Sequence, residues 1–329
     1  MTQVTRRQFV ATTSTGLAGI LATRIPPARA QQREISYLCW NNFAPNSDKK
    51  LAEIGQRFTK DTGIKVNVIY SKDGLIERIA AEGQNSPADL ILTPESGLLI
   101  QAKTAGVTQA LKSKALEGAI DAKLRDPEGH WFALTRRARV VYASKDRVKQ
   151  DAITYEELAD PKWKGKICIR SGQHIYNNGL FAAYVAKHGE AKAEEWLKGV
   201  KANLAQKPSG GDREAARDVA AGKCDIGIGN TYYWALMNDK EAERKPWAAA
   251  TKVILPTFQG GGTHVNLSGV VLAKNAPNKA NAMKLIEWLA SDTAQHMYAD
   301  INYEYPIKHG IKVNCLAPTA ATRMTEDLQ

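Results

Sequence analysis

Residues 64–93 read IKVNVIYSKDGLIERIAAEGQNSPADLILT. Ile64–Tyr70 is an apolar, β-branched run that reads as a strand. Leu75–Ala81 places Leu75, Ile76 and Ile79 at helical spacing, and Asp89–Thr93 is a second short strand. Working outward, Glu34–Trp40 reads as an earlier strand. Ser47 caps a helix with Leu51, Ile54 and Phe58 on one face, and Glu95–Ala105 is again helical. The result is a β-α-β-α-β rhythm, which specifies a mostly parallel sheet covered by helices. Downstream, Trp131-Phe132-Ala133-Leu134 is followed by a strand at Arg139–Ala143, and Thr154-Tyr155-Glu156-Glu157 resembles a capping box. A strand at Lys166–Arg170 precedes helices near Asn178–Lys187, Ala191–Leu204 and Arg213–Ala221. Asp225–Gly229, Lys252–Pro256 and Val265–Leu272 are strands, and Asn278–Ser291 and Asp292–Ala299 are the last helices. There is no internal repeat and no low-complexity linker.

Residues 1–30 hold Arg6, Arg7, Arg24 and Arg29 and no acid. Thr5-Arg6-Arg7-Gln8-Phe9 is a twin-arginine pattern, Val10 to Ile25 is mildly apolar, and Ala28-Arg29-Ala30 is a small-x-small cleavage site. The apolar part falls short of the roughly 20 residues a spanning helix needs. It predicts a twin-arginine export signal over residues 1–30 and a soluble mature protein in a bacterial periplasm.

The formal charge is +11, of which four arginines lie in that first segment. A moderately basic surface favours an anionic ligand or membrane face. The charges are scattered, with no dense basic block interleaved with aromatics, which argues against nucleic acid as a partner. Cys39, Cys168, Cys224 and Cys315 form no Cys-x-x-Cys and no zinc spacing. Three of them lie in or beside apolar strands, so buried free thiols are expected over a disulfide framework, although an oxidising compartment permits a bridge.

Chemistry is best carried by tyrosine. Tyr232 and Tyr233 are adjacent in Asn230-Thr231-Tyr232-Tyr233-Trp234, and Tyr176 lies in His174-Ile175-Tyr176-Asn177. Phenolate oxygen is a hard ligand suited to a hard, highly charged cation such as ferric iron. Taken alone, such a pair is more often core packing with its hydroxyls at the surface. Both tyrosine segments follow strands, where open α/β sheets bind their ligands.

Over about Glu34 to Ile307 the chain resembles the bacterial periplasmic ferric-ion-binding proteins, the solute receptors of iron ABC importers. The markers are Thr62-Gly63-Ile64-Lys65-Val66, Ser86-Pro87-Ala88-Asp89, Arg137-Ala138-Arg139-Val140-Val141, Asp160-Pro161-Lys162-Trp163-Lys164-Gly165-Lys166, Asn230-Thr231-Tyr232-Tyr233 and Glu304-Tyr305-Pro306. Each is weak alone; their order and spacing are specific. The resemblance implies an α/β, two-lobed type II periplasmic binding protein, each lobe a mostly parallel sheet flanked by helices, joined by a two-crossover hinge. The crossovers are expected near Arg139 and Val265. The N-terminal lobe is then 31–138 plus 266–310, and the C-terminal lobe 139–265 plus 311–329. It further implies Fe(III) bound as ligand by the phenolates of Tyr176, Tyr232 and Tyr233. A synergistic carbonate-like anion would sit on Arg137, with Gln173 and its neighbours Ser171 and Gly172 as further donors. The implied partner is an inner-membrane ABC permease, and the implied state is a monomer.

The chain also departs from that family. Where many members carry a histidine, or a histidine plus a tyrosine, just after the first strand, it has Asn41-Asn42-Phe43. Glu95 is a candidate fourth metal ligand or, alternatively, a helix cap. His174 is expected at the rim, bonded to backbone, and His264 in hinge structure. No Gly-x-Ser-x-Gly, P-loop or dinucleotide fingerprint is present, so the chain does not read as an enzyme. The alternative function is a receptor of the same fold for a small organic or phosphorylated anion.

Overall fold

A computed structural model describes residues 34–40, 47–71, 74–308 and 310–311. Residues 1–30, read from sequence as an export signal, lie outside the described residues, as do Asn41-Asn42-Phe43 and the stretch 312–329 with Cys315. The first part of the chain forms β1 (Glu34–Trp40), α1 (Ser47–Thr62), β2 (Lys65–Ser71), α2 (Leu75–Glu82), β3 (Leu90–Thr93), α3 (Ser96–Thr104) and α4 (Lys114–Ala119). There follow β4 (Phe132–Ser144), β5 (Ile167–Cys168), α5 (Ile175–His188), α6 (Glu190–Ala202), α7 (Asp212–Ala220), β6 (Ile226–Asn230) and α8 (Thr231–Asp239). The chain then adds α9 (Lys245–Ala249), β7 (Thr251–Ile254), β8 (Val265–Leu272), α10 (Lys279–Leu289), α11 (Asp292–Met297), a π-helical turn at Tyr298–Asn302, and β9 (Tyr305–Pro306).

β1 lies between β2 and β3, parallel to both, and β3 pairs antiparallel with β8. The axis of the architecture is β4, longer than the Arg139–Ala143 strand expected from sequence. It runs for 13 residues, all of them buried. Phe132–Ala138 pairs with β8, and the next residues, Arg139–Ser144, pair with β6 and β7. One strand therefore belongs to two sheet regions and changes neighbours between Ala138 and Arg139.

Each region is covered on both faces, as strand alternation requires. Leu90 and Leu92 face a core with Phe58, Phe132, Leu285 and Ile286, while Ile91 between them faces Leu75, Leu99 and Val271. In the second region Val141 and Ala143 pack with Ile226, Trp163 and Trp196, while Val140 and Tyr142 pack with Ala216 and Met237. Gly229 marks a close approach. A Cβ there would overlap the Tyr142 ring, whose hydroxyl donates to the Asn230 carbonyl.

Two expectations are corrected locally. The capping box at Thr154 forms, with Glu157 N–H donating to Thr154 Oγ1 at 3.1 Å, but it starts only a 3₁₀ turn, Glu156–Ala159. Cys168 and Cys224 are not free thiols; they form a disulfide. β5 and β6 are parallel with Cys168 opposite Gly227, so Cys224, three residues earlier, falls within reach.

Candidate functional site

The parallel pairing of β5 and β6 also builds the site. Both strands end on the same sheet edge, and each hands over to a helix there: β5 to α5 through the loop at 169–174, β6 directly to α8. α5 begins three residues earlier than its apolar pattern suggests. His174 acts as its N-cap, Nδ1 accepting from Tyr176 N–H at 3.3 Å. Tyr176 thus occupies the first turn of α5, and Tyr232 and Tyr233 the first turn of α8. The three are buried at 3%, 2% and 6% exposure and pack in one cluster, which argues against surface hydroxyls. The Tyr232 hydroxyl donates to the Tyr176 hydroxyl at 3.2 Å, and the Tyr232 and Tyr233 rings lie 4.2 Å apart.

Three guanidinium groups surround these rings. Arg137 and Arg170 lie 5.6 and 5.3 Å from the centre of the Tyr176 ring, and Arg213 lies 4.5 Å from that of Tyr233. Arg137 and Arg139 share a face of β4 but have different surroundings. Both terminal nitrogens of Arg139 are paired: it donates to Asp212 at 2.6 Å and Asn230 at 3.1 Å through Nη1, and to Asn177 at 2.6 Å through Nη2, while its Nε has no partner among the described residues. Asp212 also accepts from Arg170 at 3.2 Å and from the Asn230 N–H at 2.8 Å. Burial pushes the Asp212 carboxyl up, but Arg139, Arg170 and these hydrogen bonds outweigh it and hold it below the usual range. Arg137 is 1% exposed and donates from Nη1 to Ser268 Oγ at 2.7 Å, with Glu304 Oε1 at 3.7 Å. Its Nε and Nη2 are sealed from solvent with no hydrogen-bond partner among the described residues, as are Asn230 Nδ2 and Thr231 Oγ1. Buried donors left open beside a phenol cluster suit an oxyanion.

Among the described residues no group of three His, Cys, Asp or Glu side chains could hold a metal ion. The tyrosine oxygens are therefore the cluster's candidate donors. A model of the bacterial extracellular solute-binding proteins matches residues 44–296. The chain belongs to this family. It is 42% identical over 287 residues to iron uptake protein A1 of a Synechocystis species, covering 86% of this chain and 78% of that one. Among solved structures, a Bordetella ferric binding protein is 48% identical with a TM-score of 0.77, covering 88% of this chain and 90% of that one. A Trichodesmium protein (IdiA, FutA) in complex with iron and citrate ligands is 40% identical with a TM-score of 0.78, covering 90% and 96%. The fold of this solute-binding protein is accordingly the two-lobed type II periplasmic binding fold.

Of the remaining expected residues of this solute-binding protein, neither Glu95 nor Gln173 belongs to the tyrosine cluster. Glu95 is the N-cap residue of α3, yet its carboxylate does not cap that helix. Oε1 instead accepts from Asn266 Nδ2 at 3.1 Å and Ser96 Oγ at 3.4 Å. Gln173 is exposed on the loop before α5, outside the buried cluster. Two residues that sequence reasoning missed belong to the cluster's surroundings. Tyr303 packs with the three tyrosines, its hydroxyl donates to Asp239, and it is the one non-glycine described residue with positive φ, at 55°. Glu304 accepts from Thr135 Oγ1 at 2.7 Å and faces Arg137.

Burial raises the Tyr176 and Tyr232 phenols above their ordinary range, and the neighbouring tyrosines add to the effect while Arg137 opposes it. Burial, reinforced by Arg170, lowers His174 to about 4, and burial with Arg139 and Arg137 lowers His264 to about 3. Both imidazoles are neutral near pH 7.

Proposed function

We propose that this solute-binding protein is a receptor for ferric iron, held by the phenolates of Tyr176, Tyr232 and Tyr233. The observation that carries the reading is the buried contact between the Tyr232 and Tyr176 hydroxyls beside the unpartnered Nε and Nη2 of Arg137. Fe(III) displaces the phenolic protons, and three phenolates balance its charge. The guanidinium groups of Arg137, Arg170 and Arg213 favour the ionised rings. Arg137 receives a synergistic carbonate-like anion in bidentate fashion. Asn230 Nδ2 and Thr231 Oγ1 are open donors on the same edge, and Glu95 remains a candidate fourth ligand. The names of the relatives, iron uptake and ferric binding, support the same cargo.

In this reading the lobes are 31–138 plus 266–310 and 139–265 plus 311–329, and the switch of β4 partners at Ala138/Arg139 supports that division. The twin-arginine segment takes the chain to the periplasm, where it acts as a receptor rather than an enzyme and delivers iron to an inner-membrane ABC permease. Adding ferric iron to the iron-free protein should produce a visible phenolate-to-iron absorption that disappears in Tyr232→Phe. A protein that stays colourless and instead co-purifies with an organic or phosphorylated anion overturns the reading in favour of an anion receptor.

A further inference from the structure

Gly179 is the fifth residue of the 14-residue α5, where glycine is intrinsically unfavourable relative to alanine. Its surroundings supply the reason. A Cβ at 179 would lie 3.0 Å from Asn266 Nδ2, 3.2 Å from Glu95 Oε1 and 3.5 Å from His264 Nε2. These three side chains come from the start of α3, from β8 and from the residue before β8, and they are linked. Asn266 donates to Glu95, and the His264 carbonyl accepts the Arg139 N–H at 3.1 Å, at the point where β4 changes neighbours. His264 Nε2 is sealed from solvent with no partner among the described residues. Gly179 follows Tyr176 by three residues, so both lie on one face of α5.

We propose that Gly179 is a positioning residue, the seat on which the cleft closes. Its missing side chain lets α5, which carries Tyr176, pack against Glu95 and Asn266 of the opposite lobe, beside His264 of its own lobe. This rests on the lobe division and iron site proposed above. Any side chain at 179 holds the lobes apart while leaving the three tyrosine ligands in place. Glu95 and Asn266 then report closure by accepting α5, whether or not Glu95 also reaches the metal.

The test compares wild type, Gly179→Ala and Gly179→Val, each loaded with ferric iron. Alanine improves the helix, so Tm should hold or rise in Gly179→Ala, and the iron absorption band should stay. Release of iron to a competing chelator should be about tenfold faster, the scale of overpacking a fitted contact, and faster still with valine. Small-angle scattering reads the seat directly: the radius of gyration should increase from wild type to Gly179→Val, with and without iron. Release rates and radii equal to wild type in both variants overturn the proposal. A wild type that develops no band overturns the iron reading instead, and the seat then stands or falls on the radius alone.

Discussion

The Tyr232 hydroxyl donates to the Tyr176 hydroxyl at 3.2 Å, although the two residues are 56 positions apart. The contact exists because parallel β5 and β6 end on one edge and each starts a helix there. Arg137 and Arg170 lie over the Tyr176 ring and Arg213 over that of Tyr233, and the proposed ferric site rests on this arrangement.

Tyr232→Phe and Tyr176→Phe should therefore separate stability from binding. Each removes one neutral hydrogen bond and leaves the other buried hydroxyl without that partner, so unfolding free energy should fall by only about 1–3 kcal/mol. Ferric iron affinity should fall by more than about 100-fold, since removing even an outer-shell partner of a metal ligand costs 10–100-fold. Chemical denaturation and chelator competition measure the two effects. A Tyr232→Phe protein that keeps its affinity would remove tyrosine from the ligand set.

Iron binding should depend steeply on pH, with a fixed sign. The Tyr176 and Tyr232 phenols are raised by burial, so the iron-free protein holds their protons throughout the neutral range. Binding must release them, so apparent affinity rises with pH and falls on acidification. Three ligating phenols give a slope of about three log units per pH unit against a metal buffer of known pH dependence, and deleting one phenol lowers the slope by about one. A slope near zero would be incompatible with phenolate ligation.

The strand-to-helix placement of the tyrosines was legible because it depends on local pattern. Val265–Leu272 and Glu34–Trp40 are apolar runs with matching strand limits. What was not legible depends on distant partners. In β4 the segment Thr135-Arg136-Arg137-Ala138-Arg139 looks too polar for a buried strand. Only the fold reveals that Asp212, 73 residues away, neutralises Arg139 and that Glu304 faces Arg137. The early start of α5 was hidden because its cap is a histidine, an uncommon choice for that role. The Cys168–Cys224 bridge needs a strand register that composition does not carry. Tyr303 and Glu304 were visible as residues, but their roles come from the return of the chain after α11.

Arg137 and Glu304 should behave as a coupled buried pair. Both are almost fully buried, with Arg137 Nη1 3.7 Å from Glu304 Oε1. Arg137→Met leaves the carboxylate without its compensating charge, which should destabilise the fold by about 3–5 kcal/mol. Arg137→Met/Glu304→Gln should recover most of that loss, because neither member is then an isolated buried charge. The dependence of iron binding on added bicarbonate should be lost in both variants, since Nε and Nη2 of Arg137 are the open donors. Stability restored together with bicarbonate dependence would place the anion elsewhere.

The disulfide should matter to the fold and not to the cargo. Cys168 and Cys224 close a loop of 56-residue separation, and in the chain-entropy account such a link stabilises by about 4 kcal/mol. The loop contains α5, α6 and α7, hence Tyr176 and the helix that contributes Asp212, but neither sulfur belongs to the tyrosine cluster. Cys168→Ala/Cys224→Ala should therefore lower the denaturation midpoint while ferric iron affinity, measured well below that midpoint, stays within about threefold of wild type. The reduced wild type should follow the double variant in both measurements. A large loss of affinity with the fold intact would mean that the bridge, by tying β5 to the start of β6, sets the spacing between Tyr176 and Tyr232.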